Sequence, residues 1–263
     1  MDIERLDVGE GAMAFSTMRG DVSHGHRGHV ASSDNDVDGI YGGGNYEGFS
    51  VCHYTGDTPE HIAQCRRELA DYVSVEMQRL IIPRQTHSIN VAVIGDEMPC
   101  LESVDAMVSR RRDVALVVNT ADCLPIVFNA SDKGVVGIAH GGWRGLYGGI
   151  VEATVAAMEQ LGAVRGSLRV AIGPCICGDC YEVDEEFAER FEKRFGAAVV
   201  RRRCDEKPHV DLQEAAMVAL SEAGVGRDRV VVSRLCSRCD DRLFSARRQG
   251  VKSGRIATVV KLM

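Results

Sequence analysis

The sequence predicts an α+β fold with mixed β-sheets flanked by helices. Strand-length apolar runs and helix-length amphipathic runs are interspersed without the regular βαβ rhythm of a doubly wound protein. Neither GxGxxG nor GxxxxGKS occurs, so the usual nucleotide loops of such proteins are missing. A chain of 263 residues, 45% apolar and 26% charged, is long enough to bury a full core and has ordinary globular composition, so a single domain over 1–263 is expected.

Residues 20–48, rich in Gly, His and Asp, read as irregular loops and hairpin turns, with His24, His26 and His29 exposed. Thr58-Pro59-Glu60 opens a helix, with Thr as N-cap and Pro in the first turn; Ile62, Cys65, Leu69, Tyr72 and Val73 follow at helical spacing. "RLIIP" and "INVAVI" read as strands around the turn "RQTHS". "VALVVN" and "VVGIAH" read as two more, with "LPIVF" resuming the apolar pattern between them. A helix begins near Gly149 and buries Ile150, Thr154, Ala157, Met158 and Leu161. "LRVAI" is a strand. Asp184 caps a helix whose inner face is Phe187, Phe191 and Phe195. Asp211 with Glu214 resembles a capping box for the next helix, and "VVVS" and "IATVVK" are later strands.

The opening "MDIERLDVGE" lacks the basic and apolar regions of a secretory signal, and no run approaches the roughly 18 apolar residues of a membrane span. A cytoplasmic location with no membrane partner is expected. The net charge of −7 speaks against a nucleic-acid binder. Ten cysteines in such a chain read as thiols, some of them ligands or nucleophiles, instead of a disulfide frame.

Three apolar runs end in a borderline or soft donor: His87 in "RQTHS", Cys123 in "TADCLP" and His140 in "IAHGGWRG". Singly, these read equally as a turn residue, a small buried thiol and a hydrogen-bonded strand end. Together they suit a catalytic metal with three protein ligands and an open position. A thiolate with two imidazoles suits zinc and also copper. Asp122 is the nearby candidate for proton transfer, provided a bulge or turn at 121–124 aims both it and Cys123 inward. Cys123 with His140 also fits a metal-free cysteine hydrolase. "HGGWRGLYGG" offers backbone amides and Arg144 to an anion, and "LFSARRQG" offers Arg247 and Arg248 as phosphate or ribose contacts. Cys177 with Cys180 and Cys236 with Cys239 form two CxxC pairs, readable as a Cys₄ zinc or iron–sulfur site or as packed thiols.

The segments "RQTH", "VALVVNTADCLPIVF", "GIAHGGWRGLYGGIVEATVAAM", "IGPCICGDCYEV" and "CSRCDDRLFSARRQG" together resemble the laccase-domain (YfiH/YlmD-like) purine nucleoside phosphorylase family. The resemblance implies a fold similar to the catalytic domain of cytotoxic necrotizing factor toxins. It implies a metal site, usually zinc, at His87, Cys123 and His140, with Asp122, Cys123, His140 and Arg144 as catalytic candidates. Implied activities are phosphorolysis of adenosine, inosine, guanosine and methylthioadenosine, plus adenosine deamination, so the partners would be purine nucleosides and phosphate. Arg19, in the weaker match "FSTMRGDVS", joins Arg144, Arg247 and Arg248 as a candidate substrate contact. Older names in the family point to a copper-dependent polyphenol oxidase. Eight scattered histidines are few for a typical multicopper enzyme. The N-terminal part departs from the family pattern at Gly20-Asp21 and around Ser50.

Overall fold

Leu116 and Val118 point to one side of their strand and Ala115 and Val117 to the other, and all four are fully buried. Such a strand must be covered on both faces, which explains why it reads as one continuous apolar run. The computed structural model describes residues 1–20 and 44–263, so the exposed-histidine reading of His24, His26 and His29 lies outside the described residues. That strand is β6 (Ala115–Thr120), an interior member of a five-stranded sheet ordered β1 (Ile3–Arg5), β2 (Ala12–Thr17), β13 (Ile256–Leu262), β6, β3 (Leu80–Ile81). β13 runs antiparallel to both neighbours, with Val259 opposite Val117 and Phe15.

The second sheet has six strands, ordered β12 (Val230–Val232), β9 (Arg169–Ile172), β7 (Leu124–Ala130), β8 (Val135–Gly141), β5 (Ala106–Ser109), β4 (Val91–Ile94). β7 and β8 form an antiparallel hairpin, while β12 runs parallel to β9. A separate two-stranded ladder pairs β10 (Val200–Arg201) with β11 (His209–Val210). Leu116, Val118 and Val260 from the first sheet meet Met107, Val127, Val136 and Ile138 from the second in one apolar layer.

Helices cover the outer faces. Helix α1 (Pro59–Val73) lays Cys65, Leu69 and Val73 on Phe15, Val117 and Val259; α3 (Ile150–Gln160), α4 (Glu185–Phe195) and α5 (Leu212–Glu222) pack on Ile126, Phe128, Val135 and Ala139. The order is therefore helix, sheet, sheet, helices. Each fully buried Leu, Val or Phe in these layers contributes about 1.5–3 kcal/mol against exposure. No helix among the described residues is long and apolar enough to cross a membrane.

The caps follow the sequence. Thr58 accepts from the His61 N–H, Asp184 from the Phe187 N–H, and Asp211 from the Gln213 and Glu214 N–H groups. The reciprocal half of the capping box is absent, because Glu214 pairs with Arg227. One element differs from the reading. The glycine-rich stretch before Gly149 is not only a turn but holds a six-residue helix, α2 (Trp143–Gly148), joined to α3 through Gly149 at φ +97°. A further short helix, α6 (Ala246–Gln249), sits in "LFSARRQG".

Candidate metal centre and pocket

The chain changes sheets between β6 and β7, and the bend at 121–123 makes that crossing. Asp122 takes φ +83° there, a left-handed conformation an aspartate tolerates better than most residues. The bend turns Cys123 into a pocket. His140, near the end of β8, stands beside it because Pro125 pairs with His140 across the hairpin. His87 arrives from the "RQTHS" turn, itself left-handed at φ +62°. The Cys123 Sγ lies 3.7 Å from His87 Nε2, and the His87 and His140 ring centroids are 4.8 Å apart. One donor atom from each residue lies within 4.8 Å of the other two.

Asp105, which sequence reasoning missed, organises all of this. It is fully buried immediately ahead of β5. Its carboxylate accepts from the backbone N–H groups of Thr86, His87 and Ser88 at 3.0, 3.0 and 2.8 Å, and from the Ser88 hydroxyl at 2.8 Å. The same carboxylate lies 2.7 Å from His140 Nδ1. One side chain thus holds the turn that carries His87 and leaves His140 Nε2 directed at Cys123. A carboxylate behind a histidine in this way fixes the ring and raises its basicity as a ligand. Burial works against ionising Asp105, but His140 and the surrounding donors bring its carboxyl down to about 2. Burial likewise opposes a Cys123 thiolate, yet the His140 charge and hydrogen bonds from both histidines draw the thiol down to about 6. Against its own desolvation, His140 is pushed up to about 9 by Cys123 and Asp105.

Gly142 shows how tightly the donors crowd. A Cβ there would lie 2.6 Å from His87 Cδ2 and 3.2 Å from Cys123 Sγ. Two imidazoles and a thiolate, one imidazole already backed by a carboxylate, form a donor set that fits a zinc-type ion.

The pocket in front of this cluster has a volume of about 440 Å³, the size of a small-molecule site. Trp143 and Tyr181 form apolar walls, and Tyr54, Gln85, Asn119 and Arg255 also line it, none of them singled out from sequence. Gln85 is locked to the backbone of Asn119 by two hydrogen bonds of 2.8 and 2.7 Å. The Asn119 side chain is 3% exposed, and neither its Oδ1 nor its Nδ2 has a partner among the described residues.

The other candidate residues divide. Asp122 borders the pocket, but its carboxylate is occupied: Oδ1 accepts from the Ser237 hydroxyl at 2.6 Å and Oδ2 from the Arg247 N–H at 2.7 Å. The proton-transfer reading of Asp122 is thus met by a carboxylate tied down in structure. Arg247 lines the pocket with its guanidinium 5.1 Å from the Tyr181 ring centroid. Arg144 is exposed, stacks 4.3 Å from the Trp143 ring centroid and has no ion pair among the described residues. Arg19 and Arg248 do not line this pocket. Arg19 donates to the carbonyls of Glu47 and Asp241, and Arg248 to those of Ser237, Arg238, Asp240 and Leu243. Their guanidiniums close loops whose carbonyls lack strand partners.

A family model described as "Multi-copper polyphenol oxidoreductase laccase" matches residues 37–263. The chain is 39% identical to adenosine deaminase RL5 of an unknown prokaryotic organism, covering 98% of each chain. It is 35% identical to a purine nucleoside phosphorylase of Bacteroides thetaiotaomicron, over 83% of this chain and 86% of that one. The crystal structure of YlmD from Geobacillus stearothermophilus superposes with a TM-score of 0.82 at 26% identity, covering 96% of this chain and 92% of that one. On a family match that covers residues 37–263 and the whole donor cluster, the chain belongs to the multi-copper polyphenol oxidoreductase laccase family.

Proposed function

We propose that this protein is a zinc-dependent purine nucleoside phosphorylase that also deaminates adenosine, with His87, Cys123 and His140 as the metal ligands. The observation that carries the reading is the convergence of these donors on a pocket of nucleoside size, beside an unpaired buried amide. The names of the relatives, a phosphorylase and an adenosine deaminase, support it. Zinc bound there would supply Lewis acidity at neutral pH.

The chain's own groups do the rest. Trp143 and Tyr181 sandwich and dehydrate the purine, and Asn119 pairs with its polar edge, since a buried amide without partners is costly until a ligand supplies them. Asp105 keeps His140 in a single tautomer. Arg247 in the pocket lining, and Arg144, exposed and stacked on the wall residue Trp143, attract phosphate. In phosphorolysis a phosphate oxygen bonds to the ribose C1′ while the C1′–N9 bond breaks, and the purine leaves with that electron pair and gains a proton. In deamination the oxygen of water replaces the amine at C6, which leaves as ammonia. These centres lie on different rings, so the two reactions require different poses.

The Cys123–His140 pair, with its lowered thiol and raised imidazole, is also the arrangement of a cysteine nucleophile. Turnover of inosine and adenosine, with and without phosphate and before and after chelation, separates the readings. Phosphate-dependent hypoxanthine release that is lost on chelation and restored by zinc supports the proposal. Metal-independent activity with a trapped Cys123 adduct, or copper-dependent phenol oxidation without nucleoside turnover, overturns it.

A further inference from the structure

A second group of sulfurs stands outside the pocket. β9 and β12 are parallel neighbours, so the loops that follow them leave the sheet at the same end. Each loop carries one CxxC pair. Bridge pairing between Cys175 and Cys236 and a 3.0 Å bond from the Ser237 N–H to the Cys175 carbonyl clamp the two loops together. The Sγ atoms of Cys177, Cys180, Cys236 and Cys239 then lie within 4.8 Å of one another, Cys180 and Cys239 at 3.2 Å. Four thiolates around one tetrahedral zinc, at roughly 2.3 Å each, require sulfurs roughly 3.8 Å apart. The cluster needs only small adjustments to meet that spacing.

The backbone is arranged for thiolates. The Cys177 N–H donates to Cys236 Sγ at 3.4 Å, and the amides of Arg238 and Cys239 face the same sulfur. The amide of Asp179 likewise faces Cys177 Sγ. Each loop also closes over its first cysteine. Cys180 and Tyr181 N–H groups donate to the Cys177 carbonyl at 2.9 and 3.1 Å, and the Asp240 N–H donates to that of Cys236 at 2.9 Å. Thiol sulfur is a weak acceptor, whereas a metal-bound thiolate gains from several amides. Cations surround the site to balance a doubly negative tetrathiolate centre. Arg238 reaches the Cys180 carbonyl at 3.2 Å, and Arg248 lies across the carbonyls of the second loop.

We propose that Cys177, Cys180, Cys236 and Cys239 bind a second, structural zinc ion, distinct from the ion of the pocket. All four positions are filled by protein sulfur, so no coordination site is open for substrate, as in a closed structural centre. The ion would secure the floor of the pocket. Ser237, inside the second loop, holds Asp122, the Ile176 N–H donates to the Asp122 carbonyl at 3.0 Å, and Asp122 precedes Cys123. Tyr181, directly after Cys180, is a wall of the pocket.

The test is metal content of the purified, zinc-supplemented full chain together with site-resolved alkylation under reducing conditions. About two zinc ions per chain are expected in the wild type, about one in Cys123→Ala, and about one in a Cys236→Ser/Cys239→Ser double variant. The double variant should melt on the order of 10 °C or more below the wild type. If it does not fold, the wild type itself decides. Cys100 and Cys204 are exposed and serve as internal controls. Cys239, equally exposed, should resist iodoacetamide until a chelator is added. Labelling of Cys239 as fast as the controls, or iron in place of zinc, would each overturn the proposal. One zinc per chain that vanishes in Cys123→Ala would also overturn it while leaving the pocket metal intact.

Discussion

Replacing Asp105 with Asn tests the organisation of the pocket without changing its shape. The amide keeps one acceptor oxygen, which can still serve His140 and the His87 N–H, but puts an NH₂ group where Oδ2 accepted from Thr86 and Ser88. Two backbone donors then face another donor. Each buried unsatisfied group costs about 1–3 kcal/mol, so the variant should lose about 2–6 kcal/mol. That is a large share of the roughly 5–15 kcal/mol typical of a folded protein. Loss of charge behind His140 should also weaken metal binding about 10–100-fold. Competition with a chromophoric chelator reads the affinity, and thermal unfolding of metal-stripped protein reads the stability. A folded Asp105→Asn with unchanged zinc affinity would show that this carboxylate does not govern the donors, and the argument would fail.

Gly142→Ala should lower zinc affinity about tenfold or more with helicity preserved, because the new Cβ displaces His87 while the backbone at φ −64° suits alanine; chelator competition and circular dichroism check this. Asn119→Ala should leave thermal stability unchanged or slightly raised, since it removes two unsatisfied atoms, yet reduce kcat/KM for inosine about 10–100-fold in steady-state assays. Arg144→Ala should depress phosphate-dependent hypoxanthine release about tenfold or more while sparing conversion of adenosine to inosine, because water needs no cationic clamp. Equal loss of both activities in that variant would shift the phosphate site toward Arg247.

The strands around the pocket were legible because both faces of β6, β7 and β8 are buried, which leaves an unbroken apolar signature. Thr58, Asp184 and Asp211 announced their helices through side-chain chemistry that acts within one turn. The short helix at Trp143–Gly148 was hidden by Gly145 and Gly148, whose low helix propensity is overridden by close packing against the His140 carbonyl and Ile89. Asp105 left no trace in spacing: an isolated acid ahead of a four-residue strand has no local link to residues 86–88 or 140. Its only mark is a charge at the entrance of a fully buried strand. For Arg19 and Arg248 the sequence displays the charge and conceals which loop carbonyls it meets in the fold. The CxxC pairs were visible, but their meeting depends on β9 and β12 being neighbours, a fact of topology.

The hairpin that carries Cys123 and His140 has a consequence in time as well as in space. Leu124 faces Gly141 and Pro125 faces His140 across one ladder, so these two donors keep their spacing whether or not an ion is present. His87 rides on a separate turn, whose backbone N–H groups donate to Asp105 and whose flanks are tied by Gln85 to Asn119 and by the Ser88 hydroxyl to the Ser103 carbonyl. An ion would meet Cys123 and His140 on that ladder and His87 on the turn that Asp105 holds, so the three donors would reach it from two separately braced segments. Amide hydrogen exchange in stripped protein would quicken at residues 85–88 and stay slow along 124–141.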